Sequence, residues 1–482
     1  MEGSERGGNV KKSCPRIVVA GTHSGVGKTS VSLALVSALK RRGLRVQTFK
    51  VGPDFLDPTY HTLASGRPCY NLDGWMTDRN YVLDLFAAAS KDADIAVIEG
   101  VMGLFDGADS DTSKGSTAEI AMWLDAPVLL ITNVHGVARS IAAMVRGFSS
   151  FEPNLRICGV LANHCGSERH KIWLEDALKA SKLPPLIGAI SRGGLPELSS
   201  RHLGLVSADA HILPVSVINA LADAAEQSIS MDDVIKLAGS APYIDKDGAS
   251  PAASIRRVRV GVARDEAFHF YYQDMFDEML NHGCELVEFS PCHDVRLPDA
   301  LQGIYIGGGY PELHVRELSA NVTMRESILQ FARSDRPVYA ECGGLMYLSQ
   351  GLETPDNSRH AMVGVLPSWT RMRERKKTLG YVDITLNNDS IWGLRGDMRR
   401  GHEFHYSELT SNPTDSPGWK TVYSLKRRRS DEICHEGFQH GNILASYVHV
   451  HYGSQSSAIE RFIAVCERVR GYGSEKDFDI NR

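Results

Sequence analysis

The sequence predicts an α/β protein with two domains, each built on a sheet that helices flank. Three observations predict this class. Short β-branched runs alternate with stretches of helical apolar spacing in both halves of the chain. A segment rich in Gly, Ser, Pro and Ala interrupts the alternation at residues 239–254. The length of 482 residues exceeds what one hydrophobic core usually holds.

In the N-terminal half, six apolar runs read as strands that helical stretches separate. They are residues 17–20, 46–51, 95–98, 128–134, 157–163 and 186–190. A helix is expected at 30–40, where Val31, Leu35 and Leu39 recur at helical spacing and Gly43 follows as a stop signal. This alternation predicts a parallel sheet with helices on both faces.

A second alternation begins after the interruption. Strands are expected at residues 258–262, 286–289, 304–306 and 338–340, and a helix at 268–281. The predicted organisation is a disordered tail at 1–14, a first domain at 15–240, a linker at 241–256, a second domain at 257–470 and a tail at 471–482.

Composition excludes several classes of protein. The net charge of -5 gives no basic surface for nucleic acid. The nine cysteines are odd in number and lack CxxC spacing, which indicates a reducing compartment and neither a disulfide framework nor a structural zinc site. No apolar run is long enough to span a bilayer, and the first residues do not resemble a signal peptide. We therefore expect a cytoplasmic protein with small-molecule partners, without nucleic acid or membrane.

Residues 21–29 (GTHSGVGKT) have the spacing G-x5-G-K-T of a phosphate-binding loop. In such a loop the backbone N–H groups point at phosphate oxygens, Lys28 neutralises phosphate charge and Thr29 offers a hydroxyl to Mg²⁺. A chance glycine-rich turn is the poorer interpretation, because the loop follows a predicted strand and begins a predicted helix. The residues expected to bind the nucleotide are Gly21, Thr22, Ser24, Gly25, Val26, Gly27, Lys28, Thr29 and Ser30.

Residues 50–58 (KVGPDFLDP) follow the second predicted strand, at the sheet edge where open α/β sheets bind ligands. They carry Lys50, Asp54 and Asp57. The pattern Pro-Asp-x-x-Asp-Pro is equally compatible with turn chemistry alone, so these residues do not by themselves establish a site.

Further acids follow the strand at 95–98. Glu99 comes directly after that strand, a position suited to an acid that faces a metal ion. Residues 100–107 (GVMGLFDG) are glycine-rich and would allow the backbone to approach a ligand, with Asp106 nearby. A plain loop is the competing interpretation.

Cys342 lies between a predicted strand and a helix that begins with two glycines. Such a turn brings the thiol near helix N–H groups, which favour the thiolate, although a buried structural cysteine is the usual fate of an isolated one. Two features favour a nucleophile. Residues 307–311 (GGGYP) can supply N–H groups to an oxyanion, and His449 or His451 can act as a base. The two histidines share a predicted strand face, so the pattern barely separates them.

These residues resemble those of the cobyrinic acid a,c-diamide synthase family of glutamine-dependent amidotransferases. Seven segments carry the resemblance in family order: GTHSGVGKTS, KVGPDFLDP, EGVMGLFDG, YIGGGYPELH, AECGGLMYL, GHEFHYSE and ASYVHVHYGS. The resemblance implies an N-terminal P-loop parallel-sheet synthetase domain, similar to dethiobiotin synthetase, and a C-terminal α/β class I glutamine amidotransferase domain. It implies ATP and Mg²⁺ as cofactors, a corrin-type macrocycle and glutamine as substrates, and is compatible with a homodimer.

The resemblance also implies roles for individual residues. Cys342 is implied to be the glutaminase nucleophile and His449 its activating base. Class I glutaminases usually carry a glutamate two residues after that histidine, where this chain has His451, so the group that orients His449 is left open. The expected oxyanion donors are Gly308, Gly309 and Gly343; the expected substrate or phosphate residues are Lys50, Asp54, Asp57 and Asp106; the expected metal ligands are Thr29, Asp54 and Glu99.

The implied reaction is ATP-dependent amidation of the a and c acetate carboxylates of cobyrinic acid or hydrogenobyrinic acid through acyl phosphates, in cobalamin biosynthesis. One alternative is a,c-diamidation of nickel sirohydrochlorin in coenzyme F430 biosynthesis. Another, of a different class, is a P-loop ATPase switch with an inert C-terminal domain. The set of Cys342, GGGYP and His449 argues against the switch, because an inert domain need not keep a nucleophile.

Overall fold

In the computed structural model, the described residues fall into two compact units, one before residue 250 and one after it. The structure describes residues 13–196, 213–244, 246, 258–373, 378–428, 430 and 432–474. The tail predicted at 1–14 and the linker predicted at 241–256 therefore lie mostly outside the described residues. The last helix reaches Ser474, beyond the domain end predicted at 470. None of the described helices is both long and apolar enough to cross a membrane.

The first unit is a parallel sheet with helices around it. Its described strands are β1 (Arg16–Gly21), β2 (Val46–Val51), β3 (Tyr70–Leu72), β4 (Ile95–Glu99), β5 (Val128–Asn133), β6 (Ile157–Cys165) and β7 (Leu186–Ser191). Its described helices are α1 (Lys28–Arg41), α2 (Asp57–Ser65), α3 (Arg79–Ala89), α4 (Thr117–Trp123), α5 (Ser140–Phe151), α6 (Glu168–Ala180), α7 (Val215–Ser228) and α8 (Met231–Gly239). The strand order is β3-β2-β4-β1-β5-β6-β7, and all of these pairings are parallel.

The burial of the strands explains why apolar runs in the sequence predicted them. β1, β2 and β4 are buried along their whole length, as expected when helices cover both faces of a parallel sheet. All six predicted strands are present, within two residues at each end. The short strand β3 was not predicted, because three residues are too few to show a period. The central positions of β4, β1 and β5 bring the loops that follow them to one edge.

The second unit contains a larger mixed sheet and a smaller one. The larger sheet comprises β8 (Val258–Ala263), β9 (Cys284–Phe289), β10 (Gly303–Ile306), β11 (Val338–Glu341), β15 (Thr378–Leu386), β16 (Met398–His405), β18 (Lys420–Arg427), β19 (Ile433–His440), β20 (Ile443–Ser446) and β21 (His449–Val450). The smaller comprises β12 (Ser349–Glu353), β13 (Arg359–Ala361), β14 (Leu366–Met372) and β17 (Ser407–Leu409). The described helices are α9 (Gln273–Asn281), α10 (Val315–Ala320), α11 (Val322–Arg333), α12 (Gly343–Leu348) and α13 (Ser456–Ser474).

The larger sheet combines two kinds of pairing. β9, β8, β10, β11 and β20 pair in parallel, and β20, β19, β18, β15, β16 and β21 continue the sheet through antiparallel pairs. The parallel part matches the predicted strands and confirms the α/β class of the second domain. The antiparallel extension was not predicted, and it carries β21 with His449.

The helix predicted at 268–281 begins only at Gln273. Two contacts prevent an earlier start. The Asp265 carboxylate accepts hydrogen bonds from the N–H groups of Ala267 and Phe268 at 2.9 and 3.1 Å, which forms a turn. Phe270 then forms an isolated antiparallel bridge with Gly308. The apolar spacing over 268–272 therefore reflects packing against the 307–311 loop and not a helix.

Candidate active sites

The phosphate loop lies between β1 and α1 and needs its glycines. Gly25 and Gly27 have φ values of 81° and 97°, which L side chains rarely adopt. A Cβ atom at Gly27 would lie 2.5 Å from Nδ2 of Asn163. That amide donates to the Val26 carbonyl at 2.8 Å and so supports the loop from the neighbouring strand β6. Asn163 was not predicted, because nothing marks a strand asparagine as a partner of a distant loop.

The other predicted loop residues connect the sheet to the first turn of α1. Gly21 ends β1, and its carbonyl accepts from the N–H of Leu104 at 2.8 Å, which ties this loop to the glycine-rich loop after β4. The N–H of Thr22 donates to Ile131 at 3.0 Å. Ser24 is exposed and Ser30 is partly exposed in the first turn of α1. The predicted nucleotide-binding residues therefore form one continuous surface segment, whose contacts with a nucleotide remain a prediction.

Lys28 crosses from the phosphate loop to the loop after β4. Its Nζ donates to the carbonyl of Met102 at 2.5 Å, and the residue is 8% exposed. Burial lowers the pKa of Lys28, as does the nearby Lys50 ammonium, while Glu99 and Asp57 oppose the shift. The lysine is therefore held at the mouth of both glycine-rich loops, where a phosphate could replace the carbonyl as its partner.

Four side chains from three separate segments meet behind the loop. Thr29 donates to Oε1 of Glu99 at 2.7 Å and lies 3.4 Å from Oδ2 of Asp57. Lys50 Nζ lies 2.8 Å from Glu99 Oε1 and 2.5 Å from Asp57 Oδ2. Burial lowers the pKa of Lys50, but Asp57, Glu99 and Asp54 together raise it well above its usual value. These residues fit one ion-handling site.

Asp54 and Asp106 point partly toward their own loops. Asp54 Oδ1 accepts from the N–H groups of Leu56 and Asp57 at 2.9 and 3.0 Å, and its other oxygen lies 3.9 Å from Lys50 Nζ. Asp106 accepts from the N–H of Gly103 at 2.9 Å. Asp54 therefore forms a turn, and its site role stays a prediction. Asp57, which was not among the predicted metal ligands, lies 3.4 Å from the Thr29 hydroxyl.

His61 is a site residue that the sequence did not reveal. Its Nε2 lies 2.6 Å from Oε2 of Glu99, and both side chains are fully buried. Burial would raise the pKa of Glu99, but Lys50 and His61 hold it below its usual value. His61 lies on α2, four residues after Asp57. A histidine one helical turn beyond an acidic residue is the signal that could have identified it.

The donor atoms around Thr29 fit a hard divalent cation. The hydroxyl of Thr29 and the carboxylates of Glu99 and Asp57 are oxygen ligands, and Mg²⁺ prefers one or two carboxylates together with phosphate oxygens. The Lys50 ammonium already lies among these carboxylates, so it offsets part of their negative charge before any metal ion binds. Thr29, Glu99 and Asp57 are the residues that would hold Mg²⁺.

Cys342 occupies a strained turn between β11 and α12. Its φ is 49° and its ψ is -101°, outside the common regions for a residue with a side chain. The N–H of Cys342 donates to Ser446 at 2.7 Å, and the thiol lies 3.6 Å from the carbonyl of Phe404. β20 and β16, which carry these two partners, therefore hold the turn in place. A sharp strand-to-helix turn of this kind is typical of nucleophiles.

Glycines bring the predicted oxyanion donors next to the cysteine and the histidine. A Cβ atom at Gly343 would lie 3.0 Å from the backbone nitrogen of Gly309, and one at Gly308 would lie 2.4 Å from Cε1 of His449. A Cβ at Gly309 would lie 2.0 Å from the Ala267 carbonyl oxygen, so no larger residue fits there. The structure thus brings together the predicted set, although the oxyanion role itself stays a prediction.

Several groups around Cys342 shift the pKa of its thiol. Burial raises the pKa of Cys342, the negative charge of Glu312 raises it further, and the N–H of Gly343 lowers it. Burial also raises the pKa of Glu312 to about 7. The N–H of Gly343 acts in the expected direction, and loss of solvent around the thiol opposes it.

His449 lies in a cluster of buried polar groups. Its Nδ1 lies 3.5 Å from Oε2 of Glu341, the residue just before the nucleophile. The His402 ring stacks on it, with centroids 5.0 Å apart and planes at 21°. Burial, together with His449 and His451, lowers the pKa of His402 well below its usual value, so its ring is neutral. Sequence analysis missed both Glu341 and His402.

The two candidate bases have different carboxylate neighbours. β21 ends at Val450, so His451 lies just beyond the strand that contains His449. Nε2 of His451 lies 2.9 Å from Oδ2 of Asp274, on α9, and both residues are buried. His451 thus faces Asp274, while His449 faces Glu341 and the Gly308 segment.

Comparison with known proteins identifies the family of each half of the chain. Two family models match: a CobQ/CobB/MinD/ParA nucleotide binding domain over residues 17–206 and a CobB/CobQ-like glutamine amidotransferase domain over residues 259–457. A solved structure, PurLQS from Thermotoga maritima, aligns over 45% of this chain and 99% of its own length, with 16% identity and a TM-score of 0.32. That similarity is too low to support an assignment.

The curated relatives are much more similar. A cobyrinate a,c-diamide synthase of Syntrophotalea carbinolica is 53% identical over 455 residues, 94% of this chain and 99% of the relative. Enzymes of the same name from Leptospira interrogans and Methanosarcina acetivorans are 42% and 38% identical, each over 94% of this chain, and over 99% and 95% of their own lengths. The chain belongs to the cobyrinate a,c-diamide synthase family, and it is a carbon–nitrogen ligase that takes its amide nitrogen from glutamine.

Proposed function

We propose that this chain uses ATP and glutamine to convert the a and c acetate side chains of cobyrinic acid, or of hydrogenobyrinic acid, into amides. The observation that carries the proposal is the presence of two separate reactive sets in one chain. One contains Lys28, Thr29 and Glu99, and the other contains Cys342 and His449. The identity of the macrocycle rests on the names of relatives that match over 94% of the chain.

At the first site, an oxygen of the substrate carboxylate attacks the γ-phosphorus of ATP, and the bond from that phosphorus to ADP breaks. Lys28 leaves the Met102 carbonyl and neutralises the transferring phosphate, since charge stabilisation dominates phosphoryl transfer. Lys50 is placed to balance Glu99 and Asp57 and to attract the anionic substrate. Mg²⁺ held by Thr29, Glu99 and Asp57 would neutralise phosphate charge.

At the second site, the Cys342 thiol gives its proton to His449, and the sulfur attacks the side-chain carbonyl of glutamine. The tetrahedral oxyanion is held by N–H groups at Gly309 and Gly343, and its collapse breaks the C–N bond while the imidazolium returns the proton. Ammonia leaves, and water hydrolyses the thioester to glutamate. Ammonia then attacks the acyl phosphate and displaces phosphate, which forms the amide.

The proposal is tested by incubating the protein with ATP, Mg²⁺ and glutamine in the presence of cobyrinic acid, hydrogenobyrinic acid or nickel sirohydrochlorin. Mass spectrometry of the macrocycle should show two successive losses of about 1 Da with the corrin substrates. ¹⁸O in the substrate carboxylates should appear in the released phosphate if an acyl phosphate forms. Amidation of nickel sirohydrochlorin alone would replace the corrin assignment, and ATP hydrolysis without glutamate release would support a switch.

A further inference from the structure

We infer that Glu341, the residue immediately before the nucleophile, positions His449 for glutamine hydrolysis in place of a carboxylate two residues after the histidine. The inference rests on the proposed glutaminase activity and deepens it. Nδ1 of His449 lies 3.5 Å from Oε2 of Glu341, and the two side chains are 1% and 3% exposed. Hydrogen bonds between catalytic groups are often long in ligand-free structures and tighten when substrate binds.

Three donors fix the Glu341 carboxylate independently of the histidine. The hydroxyl of Tyr305 donates to Oε2 at 3.0 Å, the hydroxyl of Tyr339 donates to Oε1 at 2.5 Å, and the N–H of Val450 donates to Oε1 at 3.2 Å. Each of these groups stabilises an ionised carboxylate. Val450 is adjacent to His449 in the chain. The same contact therefore fixes the position of β21 relative to Glu341.

The orientation of the His449 ring follows from the groups that lie beside its two nitrogens. Glu341 lies on the Nδ1 side, and a Cβ atom at Gly308 would lie 2.4 Å from Cε1 and 3.2 Å from Nε2 of His449. Nε2 is therefore the nitrogen on the side of the glycine-rich loop that adjoins Gly343. A carboxylate opposite Nδ1 favours the tautomer with hydrogen on Nδ1 and a lone pair on Nε2, as in the triads of hydrolases. That lone pair can accept the thiol proton.

His451, the residue at the usual position of the orienting glutamate, is held elsewhere. Its Nε2 lies 2.9 Å from Oδ2 of Asp274, and its ring lies 5.1 Å from the Tyr272 ring. The His402 ring, stacked on His449, is neutral and contributes shape instead of charge. Among the described residues, Glu341 places a carboxylate oxygen 3.5 Å from Nδ1 of His449.

The test measures glutamate release as a function of pH for Glu341→Gln, with Asp274→Asn as the matched control, because both variants neutralise a buried carboxylate beside a histidine. We expect Glu341→Gln to lower kcat/KM for glutamine by about 10²-fold. Its acid limb should move to lower pH, because the substitution removes a carboxylate whose Oε2 lies 3.5 Å from Nδ1. Asp274→Asn should leave the limb in place and lower kcat/KM by less than about 10-fold.

A merely structural role would lower the plateau without moving the acid limb, and that result overturns the inference. If Glu341→Gln does not fold, Tyr305→Phe provides a second test, because it removes one donor to the Glu341 carboxylate. It should move the acid limb in the same direction and lower kcat/KM by about 3- to 10-fold. If the wild type releases glutamate and Glu341→Gln has the same pH profile, the role of Glu341 is rejected and the proposed function is not. A wild type that releases no glutamate would reject the proposed function together with the inference.

Discussion

In the phosphate-loop site a buried lysine pairs with carboxylates, whereas in the cysteine site burial disfavours the charged forms of Cys342 and His402. Lys50 lies 2.8 Å from Glu99 and 2.5 Å from Asp57 before any ligand binds. In the other site, burial raises the pKa of Cys342 and lowers that of His402. When ATP and a substrate carboxylate bind, the charged groups of the phosphate-loop site can exchange their present ion partners for the ligands. In the proposed reaction the cysteine site forms its charges only when the Cys342 proton moves to His449.

The difference separates nitrogen supply from carboxylate activation, and variants can separate them experimentally. A substitution in the cysteine site should affect only the reaction that uses glutamine. A substitution in the phosphate-loop site should affect synthesis from any nitrogen source. Added ammonia replaces the nitrogen supplied by the cysteine site, but it does not replace carboxylate activation at the phosphate-loop site. It therefore provides an internal control in each experiment below.

The largest effect is expected for Cys342→Ala. Glutamine-dependent synthesis should fall by about 10⁴-fold or more, because loss of a nucleophile removes the covalent step. Synthesis from added ammonia should persist at the wild-type rate. Product formation with each nitrogen source, measured by mass spectrometry, checks the prediction. Loss of both activities in a folded variant would show that the two sites are not chemically independent.

Lys28→Ala should abolish synthesis with either nitrogen source, with a fall on the order of 10²-fold or more. Lys28 lies where the two glycine-rich loops meet, and its ammonium is the group expected to stabilise the transferring phosphate. Initial rates with glutamine and with ammonia provide the measurement. Lys40→Ala, which removes an exposed lysine in the last turn of α1, is the matched control. Near-normal ammonia-dependent turnover of Lys28→Ala would mean that this loop is not the catalytic nucleotide site.

His449→Ala should suppress glutamate release by ~10²–10⁴-fold, since a general base contributes about that much. His451→Ala should cost less, because His451 contacts Asp274 while His449 adjoins Gly308. Ammonia-dependent synthesis should survive in both variants. Glutamate release, assayed for the pair side by side, decides the assignment. A larger defect in His451→Ala would show that the base is the other histidine.

The smallest effect is expected for Glu312→Gln. Ionised Glu312 raises the pKa of Cys342, so its removal should increase the rate of Cys342 alkylation by roughly 2- to 5-fold at pH 8.5. Burial raises the pKa of Glu312 to about 7, so the carboxyl is protonated at low pH and the two proteins should react alike below about pH 6. Iodoacetamide labelling followed by peptide mass spectrometry measures both. An equal difference at all pH values would contradict the electrostatic cause.

Much of the first unit could be predicted because its chemistry follows its chain order. In a parallel sheet each strand ends at the same edge, so Thr29, Lys50 and Glu99, which follow or end successive strands, had to lie near one another. Asn163 and His61 escaped detection. Asn163 acts through a side-chain contact with the Val26 carbonyl, 137 residues away in the chain, and His61 through its contact with Glu99 from another element.

The second unit was predicted only where it is parallel. β8, β10 and β11 carry apolar runs, and Cys342 follows the last of them. β15, β16 and β18 are antiparallel and mix buried with exposed positions, so their polar residues gave no clear pattern. The residue pattern offered both His449 and His451 as candidate bases, and only the resemblance favoured His449 while it left the orienting group unassigned.

The sequence by itself determined the α/β class, the two domains and the family, and it predicted the phosphate loop and the candidate nucleophile, because each depends on contiguous residues or on their order. Only the tertiary structure decided that Asp57 accompanies Glu99 beside Thr29, that His451 faces Asp274, and that Glu341 faces His449. These pairings join segments up to 177 residues apart. Sheet order and burial fix them, and neither leaves a local mark on the chain.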